Sequence, residues 1–265
     1  MMNTENSRVL PWESQYPRTV LVIPCYNEAD RLDAESFLDA LRRYPWVSLV
    51  FVDDGSTDHT PARLEEIRSR APLDRAEVLL LCPNQGKAEA VRRGLSHALL
   101  RREADYYGFW DADLSTPLTD LPYFYWFSST LSDKPDILLG SRVRRMGSLI
   151  SRNAVRHYLG RAFATCASLI LQIPVYDTQC GAKLFCADCV AGLIREPFIS
   201  RWIFDVELLA RYLRGHRGRP DYHDRIIEVP LLHWRDVGGS KLRARAFLVA
   251  AIDLYRVRRS LRRGD

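Results

Sequence analysis

Two carboxylates two residues apart, Asp111 and Asp113 in YYGFWDADLSTP, stand where an apolar run breaks into polar residues. At a strand end such a pair can turn toward one hard divalent cation, Mg2+ or Mn2+, which takes oxygen ligands and neutralises a diphosphate. A plain Asx turn has the same spelling. A second acidic pair, Asp53-Asp54, closes VSLVFVDD and is followed by Gly55-Ser56. One of these carboxylates suits a nucleobase or ribose, with Gly55 allowing the sharp turn; a capped strand-to-helix turn is the plainer reading. Asp205 and Glu207 in FDVELL, two residues apart on a helix, point about 200° away from each other, so only one can face a site.

These residues need elements that bring them together. Apolar runs recur at 19–24, 47–54, 77–82, 106–113 and 136–142, spaced by roughly the 30 residues of a βαβ unit. Helical segments fall between them, at 33–43, 61–70 and 87–101, with a less regular one after Pro117. The runs are apolar throughout, as strands covered on both faces must be. The spacing predicts an α/β fold with a mostly parallel sheet flanked by helices. In such a sheet ligands bind at the carboxyl ends of the strands, so Tyr26-Asn27-Glu28, Asp53-Asp54, Asp111-Ala112-Asp113 and Ser141-Arg142 should converge on one crevice. Beyond residue 145 the rhythm weakens: a long helix over 151–171, a loop carrying DTQCGAKLF (177–185), a helix around 204–213, a strand over 226–234 and a final basic helix are expected.

Composition narrows the function. The chain has 265 residues, 47% hydrophobic and 27% charged, enough for a large core. Its six cysteines lack the spacing of a disulfide framework, and Cys186-x-x-Cys189 has no second pair for a zinc site, so a reducing compartment is expected. The first residues offer no signal-peptide core, and the longest apolar stretch, about 163–175, is too short to span a bilayer. Residues 241–265 hold eight Lys/Arg against two Asp, a charge of +6 that leaves the preceding 240 residues near −1. A basic end on a neutral body suits an anionic membrane or a phosphate-bearing acceptor better than nucleic acid. Phe247, Leu248, Ala251, Leu254, Tyr255 and Leu261 could line the apolar side of an interfacial helix.

VLVIPCYNEADRL, VFVDDGSTDHT, NQGKAEAVRRGL, DADLSTP, LLGSR, DTQCGAKLF, RWIFDVELLAR and GGSKL follow one another from about residue 20 to 242. Together they resemble the family 2 glycosyltransferases, and within them the branch acting on dolichyl phosphate, the glucosyl members more closely in the later motifs. The resemblance implies a GT-A type fold over 18–240 between an N-terminal extension (1–17) and a basic C-terminal helix (241–265). It implies that Pro24, Tyr26, Asn27 and Glu28 form a nucleotide-contacting loop and that Asp53 or Asp54 holds uracil or ribose. Lys87 matches a cation beside the phosphates, Asp111 and Asp113 the metal pair with Asp113 the direct ligand, and Arg142 a phosphate-contacting arginine. Gln179, Cys180 and Gly181 match a loop closing over the sugar, and Ser240 and Lys241 one closing on a phosphate. Ser115 stands where some mannosyl relatives have Gln. Asp205 is the candidate base or acceptor-orienting group, and His233 either reaches the metal or packs.

The activity so implied is inverting, metal-dependent transfer of a hexose, glucose before mannose, from a UDP-glucose or GDP-mannose type donor to a polyprenyl phosphate at the cytoplasmic face of a membrane. A soluble hydroxyl acceptor and a non-catalytic nucleotide-sugar-binding protein are the alternatives. A sugar-1-phosphate nucleotidyltransferase would carry a Gly-rich loop after the first strand, where PCYNE stands instead, and no G-x-G-x-x-G follows any strand.

Overall fold

A computed structural model of the chain describes residues 16–131, 134–151, 154–218, 221–235 and 244–262. The first three strands, β1 (Thr19–Cys25), β2 (Val47–Asp54) and β3 (Ala76–Leu81), alternate with α1 (Ala34–Arg43), α2 (Thr60–Arg70) and α3 (Lys87–Arg101). They are followed by β4 (Tyr106–Trp110), α4 (Leu121–Ser129), β5 (Ile137–Ser141), β6 (Leu149–Ser151) and α5 (Ala154–Leu171). The later part holds β7 (Ala182–Cys186), α6 (Ala187–Ile194), α7 (Phe204–Gly215), β8 (Ile226–Pro230), β9 (His233–Arg235) and α8 (Ala244–Arg262). Seven strands form one sheet in the order β3-β2-β1-β4-β7-β5-β8, and β6 pairs with β9 in a small second sheet.

The strands pair in parallel except β7, which runs antiparallel between β4 and β5. This corrects the expectation of a plain loop over 177–185. A lysine at the second position of AKLFC hides the strand pattern, yet all five residues are buried. The expected strand over 226–234 is also divided: after Pro230 the chain leaves β5 and re-pairs as β9 with β6. β4 stops at Trp110, which releases Asp111 and Asp113 into the loop beyond it.

Local chemistry accounts for the helices that matter to the crevice. Asp33 caps α1 by accepting from the Ser36 amide at 3.2 Å, and Phe37, Leu38 and Leu41 turn inward. α3 starts at Lys87 directly after Gly86, whose φ of +93° only glycine adopts without strain. Gly94 lets α3 lie close on the sheet, since a Cβ there would come within 2.4 Å of Val22 Cγ1 and 2.8 Å of Val52 Cγ2. α8 lays Ala250, Leu254 and Val257 into the core beside α5 and α7, and Asp253 accepts from Ser200 Oγ at 2.7 Å. Leu254 is therefore a core residue and not part of an outward apolar side; Phe247, Leu248 and Ala251 lie outside the described side chains.

Alanine is the better helix former at an ordinary position, by about 1 kcal/mol over glycine. At residue 94 overpacking against β1 and β2 outweighs that gain, so Gly94→Ala is expected to lower stability by about 1–2 kcal/mol in urea denaturation.

Candidate active site

The loops after β1, β2 and β4 and the turn before β7 meet at one end of the sheet. Asp53 is 3% exposed at the end of β2; its Oδ2 accepts from the Ser56 amide at 3.1 Å, while Oδ1 is buried without a partner. A buried acceptor left open is what a ligand N–H or O–H would satisfy. Asp54 has a different task. Its carboxylate accepts from Asn84 Nδ2 at 2.9 Å, the Gln85 amide at 2.8 Å and the Gly86 amide at 2.7 Å, clamping the turn that launches α3. Of the two aspartates, Asp53 keeps an open acceptor, whereas Asp54 is committed to the turn before Lys87.

The first loop is braced the same way. Asn27 adopts a φ of +52°, accepts from the Thr57 amide at 2.9 Å, and donates its own amide to Ser56 Oγ at 2.9 Å. It ties the β1 loop to the β2 loop, leaving Pro24 half-buried and Tyr26 exposed at the rim. Glu28 donates its amide to Thr60 Oγ1 at 2.8 Å and pairs with Arg31 at 2.5 Å, its Oε2 remaining buried and unpartnered. Burial raises its pKa, Arg31 opposes the shift, and Asp113 and Asp111 add to it, which puts Glu28 within electrostatic reach of that acidic pair.

Asp111 and Asp113 differ in environment. Lys87 Nζ meets Asp111 Oδ1 at 2.5 Å, and Gly181 accepts from the Asp111 amide at 3.0 Å. A Cβ on Gly181 would fall 1.8 Å from Asp111 Oδ2, so the absence of a side chain there makes room for the carboxylate. Burial alone would push Asp111 up, but Lys87, Lys183 and Arg142 more than reverse this and hold it below the usual carboxylate range. Lys87 is raised in turn: burial opposes its charge, and Asp111, Asp205 and Asp113 overcome the opposition. Asp113 Oδ1 accepts the Ser115 amide at 3.0 Å. Among the described residues no group of three or more His, Cys, Asp or Glu is gathered for a metal. Two carboxylates fit a cation that completes its shell with diphosphate oxygens and water.

Behind this pair lies a charge network that the sequence reading missed. Lys183, in β7, is fully buried; its Nζ meets Asp205 Oδ1 at 2.6 Å and donates to the Cys180 carbonyl. Asp205 is thereby brought to the floor of the site, with Gln179 Nε2 donating to its Oδ2 at 3.4 Å. Burial raises the Asp205 pKa and Lys183 and Lys87 resist the rise. Both oxygens of this carboxylate are engaged, an arrangement that suits the acceptor-orienting role expected for Asp205. Glu207 does turn away, accepting from the Ile199 amide at 2.8 Å and pairing with Arg211 at 2.7 Å.

Arg142, after β5, is held by Asp177: Nε to Oδ2 is 2.7 Å, Nη2 to Oδ1 is 2.8 Å, and the Arg142 amide donates to Oδ2 at 3.0 Å. Asp177 outweighs burial and raises the arginine further, while hydrogens on the guanidinium stay available to an anion. Glu228 on β8 fixes the segment before Gln179 by accepting from the Tyr176 and Asp177 amides at 2.8 and 2.7 Å. His233 Nδ1 lies 3.9 Å from Asp120 Oδ1, and His233 lines a groove of about 1200 Å3 together with Asp113, Leu114, Arg144, Leu149 and Arg235. Ser240 and Lys241 lie outside the described residues. The motif DTQCGAKLF holds both Asp177 and Lys183 without revealing what either pairs with, and nothing local marked Glu228.

Two outcomes follow from this geometry. Gly181→Ala must displace Asp111, and Mn2+ affinity in the presence of a nucleoside diphosphate, measured by calorimetry, should fall at least about tenfold. Burial pushes Asp120 up to about 6, with His233 opposing. A carboxyl raised on folding stabilises the fold fully below its unfolded pKa and loses that contribution as pH rises through about 6. Asp120→Asn should therefore melt higher than the unchanged protein at pH 8, by at most about 3 kcal/mol in stability, with the difference shrinking toward pH 5.

Comparison with known proteins agrees with this geometry. The family model described as glycosyl transferase family 2 matches residues 20–202. A dolichyl-phosphate beta-glucosyltransferase of Saccharomyces cerevisiae is 30% identical over 240 residues, covering 84% of this chain and 68% of its own length. The Homo sapiens protein of the same description is 29% identical over 247 residues, covering 87% of this chain and 71% of its own. Among solved structures, glucosyl-3-phosphoglycerate synthase from Mycobacterium tuberculosis, in complex with Mn2+, UDP and glucosyl-3-phosphoglycerate, superposes with a TM-score of 0.64 at 18% identity, over 94% of this chain and 81% of that one. That likeness bears on the fold, which is of GT-A type. The chain belongs to glycosyl transferase family 2 and is a glycosyltransferase.

Proposed function

We propose that the chain transfers glucose from UDP-glucose to the phosphate of a dolichyl or other polyprenyl phosphate, with inversion at the anomeric carbon. The observation that carries this is the meeting at one crevice of an open buried acceptor, Asp53 Oδ1, with the Asp111/Asp113 pair and the cations Lys87 and Arg142. The first suits a base or ribose and the rest suit a diphosphate. Relatives described as dolichyl-phosphate beta-glucosyltransferases support glucose over mannose and the lipid phosphate over a soluble hydroxyl.

Asp113 and Asp111 would hold a divalent cation, Mg2+ or Mn2+, which when bound supplies positive charge opposite the donor diphosphate. Lys87, held by Asp111 and aimed by the Asp54 clamp, carries a fixed positive charge beside the leaving group. A phosphate oxygen of the acceptor attacks C1 from the face opposite UDP. The C1–O bond to the acceptor forms as the C1–O bond to the β-phosphate breaks, and UDP departs with the electron pair. An α-linked donor thus gives a β-linked product. The attacking oxygen is already anionic at neutral pH, so no general base is required. That agrees with an Asp205 whose oxygens are engaged by Lys183 and Gln179. Arg142 orients the acceptor phosphate.

A polyprenyl phosphate resides in a bilayer, so the enzyme works at a membrane surface, in our reading the cytoplasmic one. No helix among the described residues is long and apolar enough to cross a membrane, which fits peripheral attachment.

The test is UDP release from UDP-glucose, and GDP release from GDP-mannose, with Mg2+ or Mn2+ and with or without a short-chain polyprenyl phosphate. We expect release from UDP-glucose that requires both metal and lipid phosphate and falls about a hundredfold or more in Asp113→Ala. Metal-dependent UDP binding with turnover only on a soluble acceptor would replace the lipid, and binding without any turnover would leave a nucleotide-sugar-binding protein.

A further inference from the structure

α8 is docked on the body by one side and presents the other to solvent. Ala250, Leu254 and Val257 face inward, and Val249, Ile252 and Tyr255, which a rotation of about 100° per residue puts on the far side, are each at least half exposed. One helical turn further on the polarity changes: Arg258 and Arg259 are exposed. α5, which packs beside α8, also exposes apolar side chains, among them Leu159 and Leu169, the latter 74% exposed. Leu169 and Arg258 line one shallow groove between the ends of the two helices, so the α5 and α8 residues belong to adjoining surface.

Exposed aliphatic and aromatic side chains on two neighbouring helices, bordered by arginines, call for a partner that is apolar in one layer and anionic in the next. We propose that the outer side of α5 and α8 docks on an anionic lipid bilayer, with Leu169, Val249, Ile252 and Tyr255 entering the interface and Arg258 and Arg259 reaching the headgroup phosphates. Tyrosine favours the depth where lipid meets water, and the long arginine side chains reach outward from it. Charge complementarity separates this occupant from a second copy of the chain. A second copy docked through this side would bring no carboxylate to answer the arginines, since α5 carries no acidic residue and Asp253 of α8 is buried, whereas anionic headgroups neutralise them. The inference rests on the membrane attachment proposed above and names the surface behind it, on residues other than those that form the nucleotide crevice.

The experiment is co-sedimentation of the full chain with vesicles of phosphatidylcholine alone and of phosphatidylcholine mixed with phosphatidylglycerol, together with light scattering without lipid and calorimetric UDP binding. We expect a monomer in solution that binds the mixed vesicles and dissociates as salt is raised. Arg258→Gln with Arg259→Gln should weaken binding about thirtyfold, and Leu169→Glu with Ile252→Glu at least about tenfold, both with UDP binding unchanged as proof of folding. Absence of binding to anionic vesicles would overturn the proposal, as would binding that both double variants leave intact. A lipid-free dimer that Ile252→Glu dissociates would overturn it too, by assigning the surface to a second copy. UDP binding is read separately, so failure of the surface and failure of the donor reading are distinguishable.

Discussion

A lysine with no exposure to solvent sits in β7, inside this sheet, and the arrangement of the crevice depends on how its charge is answered. An isolated ammonium in such a place would lose its proton or unfold its surroundings. Asp205 answers Lys183 at 2.6 Å and the Cys180 carbonyl takes another of its hydrogens. That single pair fixes α7 against β7, because Asp205 lies in the first turn of the helix, and it fixes the turn before β7, because Cys180 lies in it. Gly181 follows at once and makes room for Asp111, whose own cation, Lys87, comes from the first turn of α3. Cations and carboxylates alternate from Lys87 through Asp111 and Lys183 to Asp205, each buried charge having an opposite neighbour, so the cluster tolerates burial while leaving Asp113 and Arg142 with capacity for a ligand.

Buried carboxylates elsewhere do comparable work on backbone. Asp54, Asp177 and Glu228 each accept two or more hydrogen bonds from amides or side chains of one short loop. Hydrogen bonds to a charged acceptor are stronger than neutral ones, and a loop held by several of them keeps its shape without secondary structure of its own. The residues that approach a ligand therefore stand on loops whose positions are set by residues that do not.

Much of this was legible in the sequence, and the rest was hidden for definite reasons. The parallel half was open to reading because strands buried on both faces are continuous apolar runs, and their polar endings fall at the carboxyl ends where ligands bind. Asp53 and Asp111 were identifiable from type and place. The division of labour between Asp53 and Asp54 was not, since adjacent residues on a strand point to opposite faces and only the partners of Asp54, thirty residues on, reveal which face is the loop. β7 escaped because a charged residue breaks the apolar pattern and its counter-charge lies on a helix 22 positions later. Leu254 was assigned outward from apolar type alone, whereas the side of α8 that it occupies depends on Ser200 and Asp253.

The antiparallel placement of β7 has a consequence for how the molecule is made. β4 is hydrogen-bonded to β1 on one side and to β7 on the other. While the ribosome has released only the first half of the chain, β4 is an edge strand, buried in the finished protein but at that moment offering a row of unpaired amides and carbonyls. Its partner arrives some seventy residues later, after all of α5 has been synthesised. The first half can gather its own hydrophobic core early, yet it cannot close its edge or complete the crevice until that strand returns. The interval between the two is when a nascent chain of this topology is most open to pairing with another chain and has most to gain from a chaperone.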